Sequence, residues 1–232
     1  MEAIILAGGL GTRLKNVSDR IPKSMALIQD KPFLEYQMDL LIEQGVKAFI
    51  LSIGYKSDQI QDHFKDSYKN CSVIYAVEKE LLGTGGAIKN AMRFTKGENV
   101  IVANGDSLVV SDLQKQLKFH IKNNADVTLA LKRMTNFERY GTVKLDEEFR
   151  IHSFIEKQPI SEGIINAGLY IFNVKSFTGR GWPLKFSLER EYFEACVHEA
   201  KMLGFITNGY FLDIGIPTDF KKSQTEIGSF FK

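Results

Sequence analysis

The sequence predicts a doubly wound α/β domain on a mostly parallel sheet, and two observations carry that prediction. Through the first half, short β-branched runs alternate with amphipathic stretches, the rhythm of right-handed βαβ units. In the second half the strand-like runs follow one another closely, which predicts antiparallel pairing in a later, substrate-facing subregion.

Each element follows from local pattern. Ala3–Leu6 is an apolar strand. Pro32 sits at a helix start, Phe33–Glu43 carries apolar residues at helical spacing, and Gly45 ends it. Phe49–Ile53 is a second strand, and Ser57–Phe64 a helix with Ser57 or Asp58 as its cap. Val73–Val77 is a strand, Thr84–Phe94 a helix, Val100–Ala103 a strand ending in Asn104-Gly105-Asp106, and Leu113–Lys122 a helix. Val127–Lys132, Thr142–Leu145, Ile151–Ile155 and Leu169–Phe172 read as the antiparallel strands. Phe177–Pro183, with two glycines and a proline, reads as a loop. Leu188–Ala200 is a helix capped by Ser187, and Pro217–Ile227 a closing helix.

Composition bounds the function. At 232 residues the chain supports one good core, so one domain is expected rather than two. The hydrophobic fraction of 44% and charged fraction of 25% are those of ordinary globular proteins. A net charge of +2 supplies no bulk field for nucleic acid or a membrane surface. The first strand begins at Glu2, leaving no room for a signal peptide, and no apolar run is long enough to span a bilayer. Cys71 and Cys196 are isolated, with no metal spacing, and read as idle thiols in a reducing compartment. A cytoplasmic protein is the expectation.

The chemistry concentrates in the opening run, Ala3-Ile4-Ile5-Leu6-Ala7-Gly8-Gly9-Leu10-Gly11-Thr12-Arg13-Leu14, with Pro22-Lys23 after it. Glycines let backbone N–H groups approach a polyphosphate, and Arg13 and Lys23 would neutralise its charge. The dinucleotide fingerprint needs a third glycine where this chain has Leu14, and the Walker loop needs Gly-Lys-Ser/Thr where it has Gly11-Thr12-Arg13. Both are disfavoured. Asp106 and Asp213 lie at two further strand ends, and two such carboxylates facing a triphosphate suit Mg²⁺, whose remaining positions phosphate oxygens and water fill. Singly, each reads equally well as a turn or cap residue. Glu156-Lys157 offers a carboxylate and a cation, though alone it reads as a solvated surface pair; Tyr140-Gly141 fits a hairpin turn. The loops after Leu6, Val77, Ala103 and Leu212 all lie at carboxyl ends of strands, where ligands of such sheets gather.

The run G-G-x-G-T-R-L followed by P-K resembles the signature of sugar-1-phosphate nucleotidyltransferases. The resemblance spans the chain through Asp213-Ile214-Gly215. It is nearest to the bacterial branch acting on manno-heptose 1-phosphate, through Asp30-Lys31-Pro32-Phe33, Leu82-Gly83-Thr84-Gly85-Gly86-Ala87-Ile88, Tyr140-Gly141-Thr142-Val143 and Phe186-Ser187-Leu188-Glu189. It implies a Rossmann-like sheet of the nucleotide-diphospho-sugar transferase type, with residues 1–125 mainly for the nucleotide and 126–232 mainly for the sugar phosphate. Leu6, Ala7, Gly8, Gly9, Gly11, Thr12, Arg13, Lys23, Glu78, Gly83 and Thr84 would bind the nucleotide, with Glu78 and Gly83 at the base. Arg13, Lys23, Asp106 and Asp213 would be catalytic, the two aspartates holding Mg²⁺. Tyr140, Gly141, Glu156, Lys157, Asn166 and Gly168 would form the sugar-phosphate pocket. The family has proline after the Pro-Lys lysine; here Ser24 leaves Lys23 less restricted.

The implied partners are GTP and a sugar 1-phosphate, with a homo-oligomer compatible and neither nucleic acid nor membrane involved. Guanine presents N1–H and its 2-amino group, both of which a Glu78 carboxylate can accept, whereas uracil or thymine would turn carbonyl oxygens toward it. A sugar 1-phosphate is ionised at neutral pH and needs no general base, consistent with the absence of a Ser-His-Asp or Cys-His set. The expected product is an activated sugar for capsule, lipopolysaccharide or other surface glycans. A mannose- or glucose-type 1-phosphate is the alternative acceptor, and a non-catalytic regulatory subunit of the same fold the alternative class.

Overall fold

A computed structural model describes residues 1–9, 21–155 and 157–230. The chain opens with β1 (Glu2–Leu6) and, after a 3₁₀ turn at Lys23–Met25, forms β2 (Leu27–Ile28), β3 (Lys31–Pro32), α1 (Phe33–Glu43) and β4 (Ala48–Ile53). There follow α2 (Ser57–Phe64), β5 (Ser67–Tyr68), β6 (Cys71–Val77), α3 (Gly83–Met92), β7 (Asn99–Asn104), β8 (Ser107–Val109) and α4 (Leu113–Lys122). The second half holds β9 (Val127–Phe137), β10 (Thr142–Leu145), β11 (Ile151–Ile155), β12 (Ile160–Asn173) and α5 (Val174–Thr178). It closes with a π-helical segment (Leu188–Glu194), β13 (Met202–Thr207), β14 (Phe211–Asp213) and α6 (Pro217–Phe230).

The main sheet runs β11-β10-β12-β7-β1-β4-β6-β5, with β9 also on β12 and β13 beside β9. Its first-half strands β7, β1, β4 and β6 are parallel, while β12 pairs antiparallel with β7, β9 and β10. The mixed α/β class read from the sequence is therefore the observed one. Both faces of the sheet are covered: Ile4, Val100 and Val102 pack on one side with Ile88 and Met92 of α3, whereas Ala3, Ile5 and Ile101 pack on the other with Leu34 and Met38 of α1. Alternation within β1 and β7 thus feeds two cores, as period-2 side-chain geometry requires.

Several local expectations give way to tertiary packing. No side chain caps α2; Lys56, in the left-handed region at φ 51°, precedes it, so neither Ser57 nor Asp58 is its cap. The predicted Phe177–Pro183 loop begins inside α5, because Phe177 is drawn into a buried ring cluster with Phe172, Phe186 and Tyr192. Burying each such ring contributes roughly 1.5–3 kcal/mol, enough to override local turn signals. The Leu188–Ala200 helix is π-helical over Leu188–Glu194 and breaks into turns beyond it. Ser187 does cap it, accepting from the Arg190 N–H at 3.3 Å. Tyr140-Gly141 is not a hairpin turn: β9 and β10 each pair with β12, not with one another. Leu169–Phe172 proves to be the end of a 14-residue strand, and Met202–Thr207, unread from the sequence, runs parallel to β9. Cys71 and Cys196 are buried free thiols. No described helix is long and apolar enough to cross a membrane.

His120 ties α4 to the sheet. Its Nδ1 meets Thr128 Oγ1 at 2.9 Å and its Nε2 meets Asn99 Oδ1 at 3.0 Å. Burial lowers its pKa to about 4, against a weaker opposing pull from Asp126. The unfolded chain binds this proton near pH 6.5 and the folded protein does not, so stability is present above that pH and is lost on acidification toward 4. Urea denaturation between pH 7 and 4 should show a loss of roughly 3 kcal/mol from this group. His120→Gln should flatten that part of the pH profile; an unchanged slope would reject the assignment.

Candidate active site

The carboxyl ends of β1, β6 and β7 meet at one place. Beyond β1, the Ala7 N–H donates to Ser52 O at 2.8 Å, which aims the chain at the sheet top. The Gly105 N–H donates to Leu6 O at 3.1 Å, and a Cβ at Gly105 would lie 2.4 Å from that oxygen. Glycine is therefore required for the Asn104-Gly105-Asp106 segment to lie against β1. Leu6, Ala7, Gly8, Gly9 and Lys23 line a cavity of about 290 Å³ together with Glu78, Gly83, Thr84 and Asp106. Gly11, Thr12 and Arg13 lie outside the described residues.

Glu78 stands at the wall of this cavity. Its carboxylate accepts from Ser52 Oγ at 3.0 Å and from the Leu82 N–H at 3.3 Å. Burial raises its pKa despite both bonds. A Cβ at Gly8 would sit 2.8 Å from Glu78 Oε1, so the glycine loop and this carboxylate are in direct apposition. Gly83 adopts φ +73°, and a Cβ there would meet Phe186 O at 2.5 Å. The backbone thus demands glycine at 83 independently of any ligand.

Asp106 and Asp213 come together on a separate two-stranded ribbon. In the antiparallel β8–β14 pair, Asp213 stands opposite Ser107, and the Ile214 N–H donates to Asp106 O at 2.9 Å. Lys23 Nζ contacts Asp106 Oδ2 at 2.5 Å, with the lysine side chain only 12% exposed. Lys23 opens the 3₁₀ turn Lys23–Met25, with Ser24 buried behind it. Burial and then the Asp106 charge raise the Asp213 pKa, while the Gly215 N–H, Lys23 and Arg139 oppose the rise. Two like charges gathered this way could hold a cation between them. Among the described residues no group of three or more His, Cys, Asp or Glu side chains could hold a metal. A pair of hard oxygens with room for ligand oxygens fits Mg²⁺, which keeps few protein ligands.

Tyr140, Gly141, Lys157, Asn166 and Gly168 line a second cavity of about 450 Å³, which Asp213 also lines. Asp106 and Asn104 border both cavities and so mark their junction. Asn166 Oδ1 accepts from the Gly168 N–H and its Nδ2 donates to Tyr170 Oη, each at 3.0 Å, so its amide shapes the irregular stretch of β12. Gly168, at φ +78°, leaves space that a Cβ would contest with Asn104 Nδ2 at 2.8 Å. Burial, then the Asp213 charge, pushes the Tyr140 pKa up. Glu156 lies outside the described residues. A larger cavity of about 660 Å³ opens beyond Arg139 toward Lys222 and Glu226; it touches the acidic pair only through Asp213, away from the glycine loop.

The sequence reading passed over Arg139, whose guanidinium donates to Tyr140 Oη at 3.1 Å and pairs with Asp219. No local pattern joins residues 80 positions apart. It also passed over Asn104 and the Glu189 carboxylate, both lining the second cavity. Position beside the Asn-Gly-Asp turn could have signalled Asn104.

A family profile described as nucleotidyl transferase matches residues 2–229. The chain belongs to the nucleotidyl transferase family. Within it, the chain is 49% identical to D-glycero-alpha-D-manno-heptose 1-phosphate guanylyltransferase of Aneurinibacillus thermoaerophilus, over 98% of each protein. Identity to the protein of that name from Campylobacter jejuni is 45%, over 95% of this chain and 97% of that one. Of solved structures, HddC from Yersinia pseudotuberculosis complexed with GMP-PN aligns over 100% of this chain and 99% of its own, at TM-score 0.87 and 40% identity.

The close fit of Gly105 against β1 is testable. Gly105→Ala should force β7 from β1, lowering stability by roughly 1–3 kcal/mol in a thermal melt. A melt unchanged from wild type would contradict the 2.4 Å contact.

Proposed function

We propose that this protein transfers the guanylyl group of GTP to D-glycero-α-D-manno-heptose 1-phosphate, releasing pyrophosphate. The observation that carries this reading is the position of Asp106, bordering a glycine-lined cavity on one side and the Tyr140–Lys157 cavity on the other, with Asp213 across the β8–β14 ribbon. The 49% and 45% identical relatives, both named for this reaction, support the choice of substrates.

In the reaction, an oxygen of the sugar phosphate attacks the α-phosphorus, a P–O bond forms, and the bond to the β-phosphate oxygen breaks in line. The attacking oxygen is already ionised, so no residue needs to remove a proton. Lys23, which lines the glycine-bordered cavity and pairs with Asp106, would neutralise charge near the reacting phosphate once a triphosphate competes for it with Asp106. Lys157 would receive the sugar phosphate, and Arg13 would hold the β and γ phosphates with Gly8, Gly9, Gly11 and Thr12. Leu6, Ala7, Gly83 and Thr84 would shape the rest of the nucleotide site. Tyr140, Gly141, Glu156, Asn166 and Gly168 would surround the sugar. Asp106 and Asp213 would hold Mg²⁺, which when bound supplies Lewis-acid charge neutralisation at the phosphates.

Glu78 supports guanine. Ser52 donates to its Oε1 and the Leu82 N–H to its Oε2, and each oxygen keeps a second acceptor position for the paired donors of a purine carrying N1–H and a 2-amino group. The protein is read as cytoplasmic, with residues 1–125 mainly serving the nucleotide and residues 126–232 the acceptor. Its product would feed capsule, lipopolysaccharide or other surface glycans.

Initial rates of pyrophosphate release should be highest with GTP and the manno-heptose 1-phosphate among four nucleoside triphosphates and a panel of sugar 1-phosphates. A preference for UTP or dTTP overturns the guanine reading, and faster turnover of mannose or glucose 1-phosphate overturns the heptose one. Asp106→Asn should lower kcat by roughly 10²–10³-fold or more with an unchanged circular dichroism spectrum; retained Mg²⁺-dependent turnover would exclude its metal role.

A further inference from the structure

Thr84 lines the glycine-bordered cavity, yet its hydroxyl serves the other one. Its Oγ1 donates to Glu189 Oε2 at 2.7 Å and accepts from the Leu188 N–H at 2.9 Å. Ser187 Oγ donates to the same carboxylate oxygen at 2.9 Å. Glu189 lines the acceptor cavity, as do Arg190, Tyr140 and Lys157. The Thr84–Glu189 bond therefore runs directly from the wall of one cavity to the wall of the other.

The surrounding backbone makes this contact rigid. Phe186 O accepts from the Gly85 and Gly86 N–H groups at 3.1 and 3.3 Å, and the Phe186 N–H donates to Leu82 O at 3.0 Å. The Phe186 ring fills the space over Gly85, where a Cβ would lie 2.3 Å from its Cε2. Segment 186–189 is thus docked on the first turn of α3, and Thr84 adds the side-chain bond that orients the carboxylate. Glu189 Oε2 has two hydroxyl donors, while Oε1 has no hydrogen-bond donor among the described residues.

We propose that Thr84 is a positioning residue for the sugar: its hydroxyl fixes Glu189 so that Oε1 is presented to an acceptor hydroxyl. The choice of substrates rests on the guanylyltransferase reading above; the hydrogen bond does not. A valine at position 84 keeps the shape but removes both the donor and the acceptor. The carboxylate then loses one of two hydroxyls that orient it, and the acceptor meets a less ordered partner.

The test uses the full chain with whichever nucleotide and sugar 1-phosphate the wild-type enzyme turns over fastest, so an error in substrate identity leaves it intact. Thr84→Val should raise KM for the sugar phosphate about tenfold, the loss expected for one charge-assisted hydrogen bond, and by a clearly larger factor than it raises the KM for the nucleotide, whose cavity Thr84 also lines. Thr84→Ser, which keeps the hydroxyl, should restore the acceptor KM. An equal or larger rise in the nucleotide KM, or no change in either, overturns the proposal. Without substrates, melting temperatures of Thr84→Val, Glu189→Leu and the double variant should be non-additive, because the two changes remove one shared bond. Additive shifts would overturn the proposal as well.

Discussion

Everything at the centre of this protein depends on holding two aspartates side by side across the β8–β14 ribbon. Like charges brought together repel, and burial sharpens that repulsion. The β8–β14 ribbon imposes that proximity. It is anchored beneath by Leu108, Leu212 and Ile214 packed against Phe33 of α1 and Ile227 of α6. Apolar burial thus holds the backbone in register, and the charge conflict is left to be relieved by cations. Lys23 relieves it on Asp106, and Arg139 with Lys23 moderates it on Asp213.

This arrangement explains why the site lies at a junction. A cation attracted to the pair sits beside both cavities, since Asp106 borders each of them. On the proposed reading, phosphate groups arriving from either side would meet the same charge at the place where the two cavities join. In that proposal the protein's part is position and electrostatics rather than proton transfer.

The glycines serve packing as much as ligand access. Gly105 lets β7 turn against β1, and Gly83, Gly85 and Gly86 let the Phe186 segment lie on the first turn of α3. Close backbone approach at these points brings together residues a hundred positions apart, among them Thr84 and Glu189. Their replacement would disturb architecture before it disturbed any contact to a ligand.

Periodicity and loop chemistry carried much of this in the linear chain. Alternating β-branched runs and helical stripes disclosed the parallel half, because each element there buries one face through local pattern. The glycine run, Pro22-Lys23 and the Asn-Gly-Asp turn disclosed an anion-binding centre, because that chemistry needs neighbours in sequence. What lay beyond it were decisions made by distant contacts. Asp213 meets Asp106 only through strand pairing, Arg139 meets Asp219 across 80 positions, and Phe177 leaves its loop for a ring cluster. The Tyr140-Gly141 turn looked local, but β12 intervenes between the strands it joins. Short-range signals report which backbone a residue prefers, whereas burial and charge pairing over long loops determine which surfaces finally face each other, and those are properties of the folded whole.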